Sequence, residues 1–374
     1  MKIRKRVIFL LIIGFLIIFS INLILSKSNR RDLKGDIVLW SNEENYNYFL
    51  EVANEFKERN KKVNIHIINI GSEDCLEKIK ELNEKDLPNI VELNFVELEK
   101  IKEKIDFIDE NKSIIEMYNK NFKDSRIQEI KIHEDYYGVP FESNPIALYV
   151  RNDILNKYGY EASELNTWKD LIEVGNEIKN KSSGEINIFS NKDKGNIELL
   201  IISQLVDYEK DSYTYTKEDI LKEFNNIYKD EYIAEDNNYL YRIASLDFYR
   251  DIVEDKELGI WTCKNPPSYK IGENKLYALG GKNLVALNVE KNRDAIKEFI
   301  AFAATNKDLL SKELRDNKFF PSSLYSLTVK EEENKIENIE GNSPFLILVN
   351  IAERAPSIKK FDKLKEILND IYYN

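Results

Sequence analysis

The sequence has few of the residues that bind transition metals. It contains two cysteines, Cys75 and Cys263, and two histidines, His66 and His133, among 374 residues. No CxxC, HExxH or Cys/His cluster is present, which excludes a zinc site of the usual spacing. We therefore expect no metal site.

The sequence also lacks the short motifs of common nucleotide-binding and hydrolytic enzymes. GxSxG, the P-loop and GxGxxG are absent, and Gly280-Gly281-Lys282-Asn283 lacks the upstream Gly and the Ser or Thr of a P-loop. His133-Glu134-Asp135 sets one histidine beside two acids in a polar loop, which is typical of an ordinary surface. Carboxylate pairs for glycoside hydrolysis are not excluded, because acids occur throughout the chain. We expect a protein that is not an enzyme and needs no cofactor.

Acidic residues outnumber basic residues outside the N-terminus. The net charge is −11, but residues 1–34 carry eight Lys or Arg and one Asp, a charge of +7 that leaves −18 for residues 35–374. A body this acidic repels phosphate backbones, so nucleic acid is not an expected partner. The composition, 43% hydrophobic and 32% charged, suits a globular body, and the length is enough for two lobes of ordinary domain size.

One long apolar run, from Val7 to Leu25, lies at the N-terminus after several basic residues. As a helix it would reach roughly 28 Å, close to the ~30 Å hydrocarbon core of a bilayer. It is longer than the apolar region of most cleaved signal peptides. A buried core helix is an unsuitable alternative, because the run is uniformly apolar and terminal.

Two kinds of processing could act on this segment. Ser26-Lys27-Ser28 is a weak cleavage site, and cleavage stays open as the alternative. Lipoprotein processing is excluded because no cysteine precedes Cys75. We expect an uncleaved signal anchor: residues 1–35 would form a cytoplasmic stub, a single transmembrane helix and a linker, with the body on the extracytoplasmic face of the cell membrane.

Beyond the linker, hydrophobic patterns with the periods of strands and helices alternate. This alternation predicts an α/β fold with a parallel sheet, whose ligand sites lie at the carboxyl ends of the strands. Thr167 is a predicted helix N-cap, residues 181–195 are predicted to be a loop, and 330–343 a charged surface stretch. The predicted strands are 36–40, 63–70, 90–93, 146–150 and 284–289, and the predicted helices run through 49–56, 76–82, 168–178, 296–303 and 361–371.

Several segments resemble family 1 extracellular solute-binding proteins, the group that includes maltose-binding protein. The most specific is YYGVPFESNPIALYVRNDILNKYGY followed by NTWKDLIEVGNEI. The opening GDIVLWSNEENYNYFLEVANEF, the strand LPNIVELN, the segment LYALGGKNLVAL and the tail from FFPSS onward also resemble that family, although Asn89 stands where Asp is usual. The resemblance covers residues 36–374.

The resemblance implies a two-lobed periplasmic-binding-protein-like fold of type II with a ligand clamped between the lobes. Lobe 1 would hold residues 36–142 and 282–315, and lobe 2 residues 143–281 and 316–374. The implied function is that of the solute-binding subunit of an ABC importer, a monomer that binds a small polar solute, typically an oligosaccharide, and delivers it to the permease. Cys75 and Cys263 would then lie in different lobes, so we expect two buried free thiols.

The same resemblance implies a set of ligand contacts in loops that follow strands or form the hinge. Other roles remain open for single residues: Ser72 as a helix cap and Trp40 as a core residue. Trp168 and Trp261 are expected to be structural, and Tyr249, rather than Phe248, is chosen for the aromatic contact. The predicted contacts are Trp40, Ser41, Asn42, Glu43, Gly71, Ser72, Glu73, Asn94, Phe95, Glu142, Ser143, Asn144, Tyr249, Gly280 and Gly281.

Two departures from the family weaken the expectation of a carbohydrate ligand without affecting the fold. A Gly-rich stretch before the aromatic position is replaced by residues 241–245, and tryptophan is scarce. A second hypothesis is therefore a membrane-tethered sensor or assembly protein that reuses the binding fold without transport. It predicts a shallow cleft.

Overall fold

The computed structural model describes residues 32–208, 215–327 and 336–373, and their strands and helices alternate as the sequence predicts. The strands are β1 Lys34–Ser41, β2 Lys62–Asn69, β3 Ile90–Leu93, β4 Lys131–Ile132, β5 Asp135–Tyr136, β6 Val139–Pro140, β7 Glu142–Ser143, β8 Ala147–Arg151, β9 Asn187–Ser190, β10 Ile233–Ala234, β11 Tyr239–Ala244, β12 Trp261–Lys264, β13 Asn283–Ala286, β14 Phe320–Pro321 and β15 Ile339–Glu340. The helices are α1 Tyr46–Arg59, α2 Ser72–Glu81, α3 Phe95–Ile101, α4 Ile108–Met117, α5 Asp124–Ile130, α6 Asn152–Lys157, α7 Trp168–Lys181, α8 Lys194–Tyr208, α9 Lys217–Ile227, α10 Leu246–Val253, α11 Arg293–Thr305, α12 Lys307–Arg315, α13 Pro344–Arg354 and α14 Phe361–Tyr373.

Two sheets form the centres of two lobes. The first sheet has the order β2-β1-β3-β13-β6, with β1 parallel to β2 and β3 and with β13 antiparallel to both of its neighbours. The second has the order β10-β9-β11-β8-β12-β15. Helices cover the sheets, so a central strand such as β3 is buried along its whole length. The mixed α/β, two-lobed architecture predicted from the sequence is confirmed.

The helix boundaries follow from local side-chain chemistry. The Thr167 hydroxyl accepts a hydrogen bond from the Asp170 amide (3.2 Å), and the Asp170 carboxylate accepts one from the Thr167 amide (2.8 Å), so the predicted N-cap of α7 is a full capping box. Trp168 then packs inward and donates from Nε1 to Gln204 Oε1 (2.7 Å). It is structural, as predicted, and so is Trp261, which is buried in β12.

One secondary-structure prediction was wrong. Residues 181–195 were predicted to be a loop, but they contain β9 and the first residues of α8. Only Ile188 and Phe189 in β9 carry an apolar signal, and the strand is stabilised by pairing with β10 and β11, which lie far along the chain. Residues 336–343 of the predicted charged stretch include the short edge strand β15.

The two cysteines are buried free thiols, as predicted. Cys75 lies on α2 against the first sheet, and Cys263 lies on β12 in the second. Burial raises the pKa of the Cys75 thiol to about 11 and raises that of Cys263 further. Both thiols therefore remain protonated and unreactive at neutral pH.

The predicted N-terminal transmembrane helix lies in residues 1–31, outside the described residues. In the part of the chain that the structure describes, no helix combines the length and the apolar character needed to cross a membrane.

Candidate ligand-binding cleft

The chain passes between the two lobes at three places, which together we call the hinge: residues 142–144, 280–282 and 320–323. β7 and β14 pair as a short antiparallel ribbon, so the first and third crossings lie side by side. The second crossing leads into β13, which inserts between β3 and β6 of the first sheet. Loops at the carboxyl ends of β1 and β3 face this hinge, where a ligand site of an open α/β sheet is expected.

A cleft of about 360 Å³ lies between the lobes at the hinge. This volume is within the range of small-molecule sites. Lobe 1, the hinge and lobe 2 all contribute to its lining: Asn94, Phe95, Val96, Glu142, Asn144, Gly195, Asn196, Leu199, Gly280, Gly281, Lys282 and Leu368.

Asn94 is fixed at the lobe 1 side of the cleft by its role as the N-cap of α3. Its Oδ1 accepts hydrogen bonds from the amides of Val96 (2.9 Å) and Glu97 (2.8 Å). The Glu97 carboxylate in turn accepts one from the Asn94 amide (2.7 Å). This capping box holds the Asn94 side chain in place before any solute binds.

On the opposite side, Asn144 and Asn196 bring the hinge and lobe 2 together. Asn144 Nδ2 donates to Asn196 Oδ1 at 3.0 Å. Asn196 and Gly195 belong to the first turn of α8, a helix of 15 residues. The dipole of α8 favours negatively polarised groups of a solute at this end.

Two carboxyl groups at the cleft share one amide. Asn45 Nδ2 donates to Glu92 Oε2 (2.9 Å) and to Glu142 Oε2 (3.0 Å). Burial raises the pKa of Glu92 to about 7, against the effect of the Asn45 hydrogen bond, and burial also raises the pKa of Glu142. Near neutral pH Glu92 therefore exists in both its protonated and its ionised form.

A buried ion pair on α5 organises the hinge. Arg126 and Glu129 pair with each other and are almost completely buried. Arg126 Nη2 donates to the Glu142 carbonyl (2.8 Å) and to Asn283 Oδ1 (3.0 Å), and its Nε donates to Ser322 Oγ (3.3 Å). One side chain thus contacts the first and third crossings and the strand that follows the second.

Two further contacts complete this network. Glu129 Oε1 accepts a hydrogen bond from the Gly280 amide (3.3 Å) in the second crossing. The hydroxyls of Ser143 and Ser322 lie 2.9 Å apart and join the first crossing to the third. The hinge is therefore held by polar contacts that α5, an element of lobe 1, supplies to all three crossings.

The second crossing passes very close to the first, and glycine permits this. Gly280 and Gly281 have φ values of +85° and +80°, in the left-handed region that favours glycine. A Cβ on Gly281 would lie 2.3 Å from the Glu142 carbonyl oxygen. No other residue type fits this position without moving the backbone of the hinge.

Comparison with known proteins fixes the family. The sequence profile described as bacterial extracellular solute-binding protein matches residues 51–331, about three quarters of the chain. The chain belongs to that family. This agrees with the resemblance drawn from the sequence, and it is a family of substrate-binding rather than catalytic proteins.

Individual relatives of this solute-binding protein are distant. A lactose-binding protein from Rhizobium radiobacter is 23% identical over 188 residues, 45% of this chain and 42% of that protein. An arabinooligosaccharide-binding protein from Halalkalibacterium halodurans is 18% identical over 273 residues, 64% of this chain and 60% of that protein. The chain thus spans only 42% and 60% of the lengths of these two curated relatives.

Among solved structures, the cyclic α-maltosyl-1,6-maltose binding protein from Arthrobacter globiformis superposes with a TM-score of 0.66 at 14% identity. The superposition covers 90% of this chain and 94% of that chain. At this identity the similarity shows the fold, which is the two-lobed fold described above.

Six of the predicted contacts line the cleft of this solute-binding protein, and three more line a small recess beside it. The cleft residues are Asn94, Phe95, Glu142, Asn144, Gly280 and Gly281, and the recess residues are Trp40, Ser41 and Asn42. Phe95 is 3% exposed and packs on Phe361, with ring centroids 5.6 Å apart. It borders the cleft at a buried edge and does not present an open aromatic face.

In the part of the chain that the structure describes, the other six predicted contacts are not among the residues that line the cleft or the recess. Glu43 and Gly71 are exposed, and Gly71 is the N-cap of α2. Ser143 is buried against Ser322, and Tyr249 lies on α10, packed against a hydrophobic cluster of lobe 2. The side chains of Ser72 and Glu73 lie outside the described residues.

Sequence reasoning also missed residues that line or support the cleft. Glu92 carried a signal, because it is the single charged residue in the apolar run of β3. Gly195 and Asn196 were missed with the start of α8, which was predicted to be a loop. Lys282 and Asn45 are close in sequence to the predicted residues Gly281 and Glu43, but no motif or periodicity indicates a role for either. Leu199 and Leu368 have the pattern of ordinary helix residues.

The cleft of this solute-binding protein shows no group suited to hold a metal. Among the residues that the structure describes, no cluster of three or more His, Cys, Asp or Glu side chains is placed to bind an ion.

Proposed function

We propose that this chain is the solute-capturing subunit of an ABC importer and acts by binding, without catalysis. The observation that supports it is the cleft of about 360 Å³ at the meeting point of lobe 1, hinge and lobe 2. A solute there contacts both lobes at once, so its binding energy favours the closed arrangement. The closed form would dock on a permease pair driven by a cytoplasmic ATPase.

The proposed solute is a small, hydroxyl-rich molecule, an oligosaccharide. The polar side chains at the cleft include Asn94, Glu142, Asn144 and Asn196. Their carboxyl and amide groups pair well with hydroxyls. The two curated relatives described above are named for lactose and for arabinooligosaccharides. Specificity would arise because an analogue that lacks a hydroxyl leaves a buried polar group unpaired.

The lobes would follow the boundaries expected from the sequence, 36–142 with 282–315 and 143–281 with 316–374. The nine predicted contacts that line the cleft and the recess are proposed as the ligand set. The body would act as a monomer outside the membrane, held there by the apolar segment from Val7 to Leu25.

The proposed anchor has a direct test. Membranes from cells that express the full chain are washed with alkaline carbonate, and the pellet and supernatant are probed for the protein. An uncleaved span of 19 residues is expected to keep the chain in the pellet at its full mass of 44.0 kDa. A shorter chain in the supernatant would indicate cleavage near Ser26-Lys27-Ser28.

The proposed function is tested by a thermal-shift screen of the full chain in mild detergent against oligosaccharides, monosaccharides, amino acids and peptides. A solute at a hundred times its dissociation constant stabilises the folded state by about 2.7 kcal/mol, and the melting temperature is expected to rise with lactose or a maltooligosaccharide. No rise in any class would contradict the importer function and favour the tethered sensor or assembly protein.

A further inference from the structure

A carboxyl group is buried in the middle of the first sheet. Glu92 lies in the central strand β3 and is 6% exposed. Its Oε2 accepts the hydrogen bond from Asn45, but Oε1 has no hydrogen-bond partner among the described residues. The Ser41 hydroxyl lies near this carboxyl and, like the Asn45 amide, lowers its pKa, but in the structure it donates to the Asn42 carbonyl (3.0 Å). A buried acceptor without a donor lowers the stability of the folded state, so we expect a donor to bind to this oxygen.

Glu92 lines a small recess next to the cleft. The recess has a volume of about 10 Å³, the room of one water-sized group. It shares Lys282 with the cleft, its Glu97 bonds to Asn94 of the cleft lining, and Asn45 joins Glu92 to Glu142, so the recess lies beside the cleft. The residues that line it are Trp40, Ser41, Asn42, Ile70, Cys75, Glu92, Glu97 and Lys282.

We propose, on the basis of the solute-binding function above, that this recess is a subsite for one hydroxyl group of the solute, with Glu92 Oε1 as the acceptor of its proton. The hydroxyl takes the place of the water-sized group that fits there. The solute reaches the recess from the cleft past Lys282.

The charges around the recess select a hydroxyl over other small groups. Lys282 Nζ lies 3.6 Å from Glu97 Oε2, so an ammonium and two carboxyl groups face the same space. A solute ammonium would meet the like charge of Lys282, and a solute carboxylate would meet Glu92. A methyl group would leave Oε1 unpaired. A hydroxyl can donate to Glu92 and at the same time accept from Lys282, so it can pair with both the carboxylate and the ammonium.

The subsite makes solute affinity depend on pH. The groups that face Glu92 are Glu142 across the Asn45 bridge, Lys282 and Glu97, and the Cys75 thiol, which stays neutral. Burial sets the pKa of Glu92 at about 7. A hydroxyl that donates to Oε1 favours the ionised carboxylate, lowers that pKa and releases a proton on binding. Affinity therefore rises as the pH rises through 7.

Isothermal titration calorimetry of the full chain in mild detergent tests the subsite. Lactose and maltotetraose are the hydroxyl probes, putrescine is the amine probe, and each is titrated at pH 6 and pH 8 and, at pH 7, in two buffers of different ionisation heat. If only the ionised form binds, saccharide affinity is expected to be about tenfold higher at pH 8 than at pH 6, with about half a proton released at pH 7. The proton count comes from the wild type alone and needs no variant.

The variant Glu92→Gln assigns the effect to this residue. Its amide oxygen still accepts from Asn45, so the fold is retained, but the charged acceptor is lost. Saccharide affinity at pH 8 is expected to fall about tenfold or more, and the pH dependence to disappear. The matched control is Glu81→Gln, the same change at an exposed position on α2, which is expected to bind as the wild type does.

Each contrary result has a separate meaning. Saccharide binding by Glu92→Gln with wild-type affinity and pH dependence overturns the subsite and leaves the importer function intact. Dependence on Glu92 for putrescine but not for the saccharides overturns the assignment of a hydroxyl. A saccharide that binds in the thermal-shift screen but releases no proton at pH 7 also overturns the subsite alone, whereas a wild type that binds no solute of any class in that screen overturns both the subsite and the proposed function.

Discussion

Arg126→Met is expected to lower the free energy of unfolding by about 3–5 kcal/mol, because it leaves a buried charge without its partner. Glu129 is completely buried and would keep a carboxylate that no cation neutralises. The carbonyl of Glu142 and Oδ1 of Asn283 would lose their donor as well. Burial lowers the pKa of Arg126, but the guanidinium stays charged at pH 7. Urea unfolding followed by tryptophan fluorescence measures the loss.

Two further variants separate the buried charge from a general effect of the substitution. Lys169→Met removes one partner of an exposed pair on α7, whose side chains are 77% and 63% exposed, and is expected to cost less than about 1 kcal/mol. Arg126→Met combined with Glu129→Leu is expected to be more stable than Arg126→Met alone, since no unpaired carboxylate remains. Equal stability of Arg126→Met and Lys169→Met would show that the ion pair does not organise the hinge.

Gly281→Ala is expected to have a second large effect, a loss of about 2–5 kcal/mol from a left-handed backbone and a steric clash together. The added Cβ would lie 2.3 Å from the Glu142 carbonyl oxygen and 2.7 Å from its carbon. Both are backbone atoms and cannot rotate away as a side chain can. Relief requires the first two crossings to separate, so solute affinity is expected to fall along with the melting temperature.

Gly159→Ala is the matched control for this variant. Gly159 has a φ of +81°, nearly the same as the +80° of Gly281, but nothing lies within 4 Å of its added Cβ. It follows α6 in lobe 2. Its replacement is expected to lower the free energy of unfolding by about 1 kcal/mol, which is the cost of placing alanine in a left-handed backbone conformation. Both variants are compared by urea unfolding and by calorimetry with the solute from the screen. If Gly281→Ala and Gly159→Ala lower the free energy of unfolding by the same amount, the close contact between Gly281 and Glu142 does not contribute to stability.

The predictable part of the site was the part that follows local patterns. Asn94 comes directly after a strand that the periodicity identifies, and parallel strands bring their carboxyl ends to one edge. Glu142 and Asn144 were predicted from the resemblance to the family, which places them at the hinge. Gly280 and Gly281 form a pair between two elements, where a special backbone conformation is expected. The resemblance to a family then placed the two lobes and the cleft between them.

The remaining part depends on contacts between distant positions. Nothing in the sequence DSRIQEI of α5 indicates that Arg126 and Glu129 are buried, since their burial comes from three crossings that lie up to 196 residues away. Asn45 has its role only because β3 and β7 bring Glu92 and Glu142 to it. The strand β9 has two strongly apolar residues and exists because of its neighbours in the second sheet.

The position of β13 has a consequence for how the chain is made. Its residue Asn283 bonds to the Leu93 carbonyl, 190 positions earlier, and the strand fills the gap between β3 and β6. The first sheet therefore cannot be completed on the ribosome until most of the polypeptide has been synthesised, and β3 keeps an open edge until then. Such distant pairings are slow to form. We expect the nascent chain to stay unfolded long enough for export, and to depend on chaperones that cover this edge.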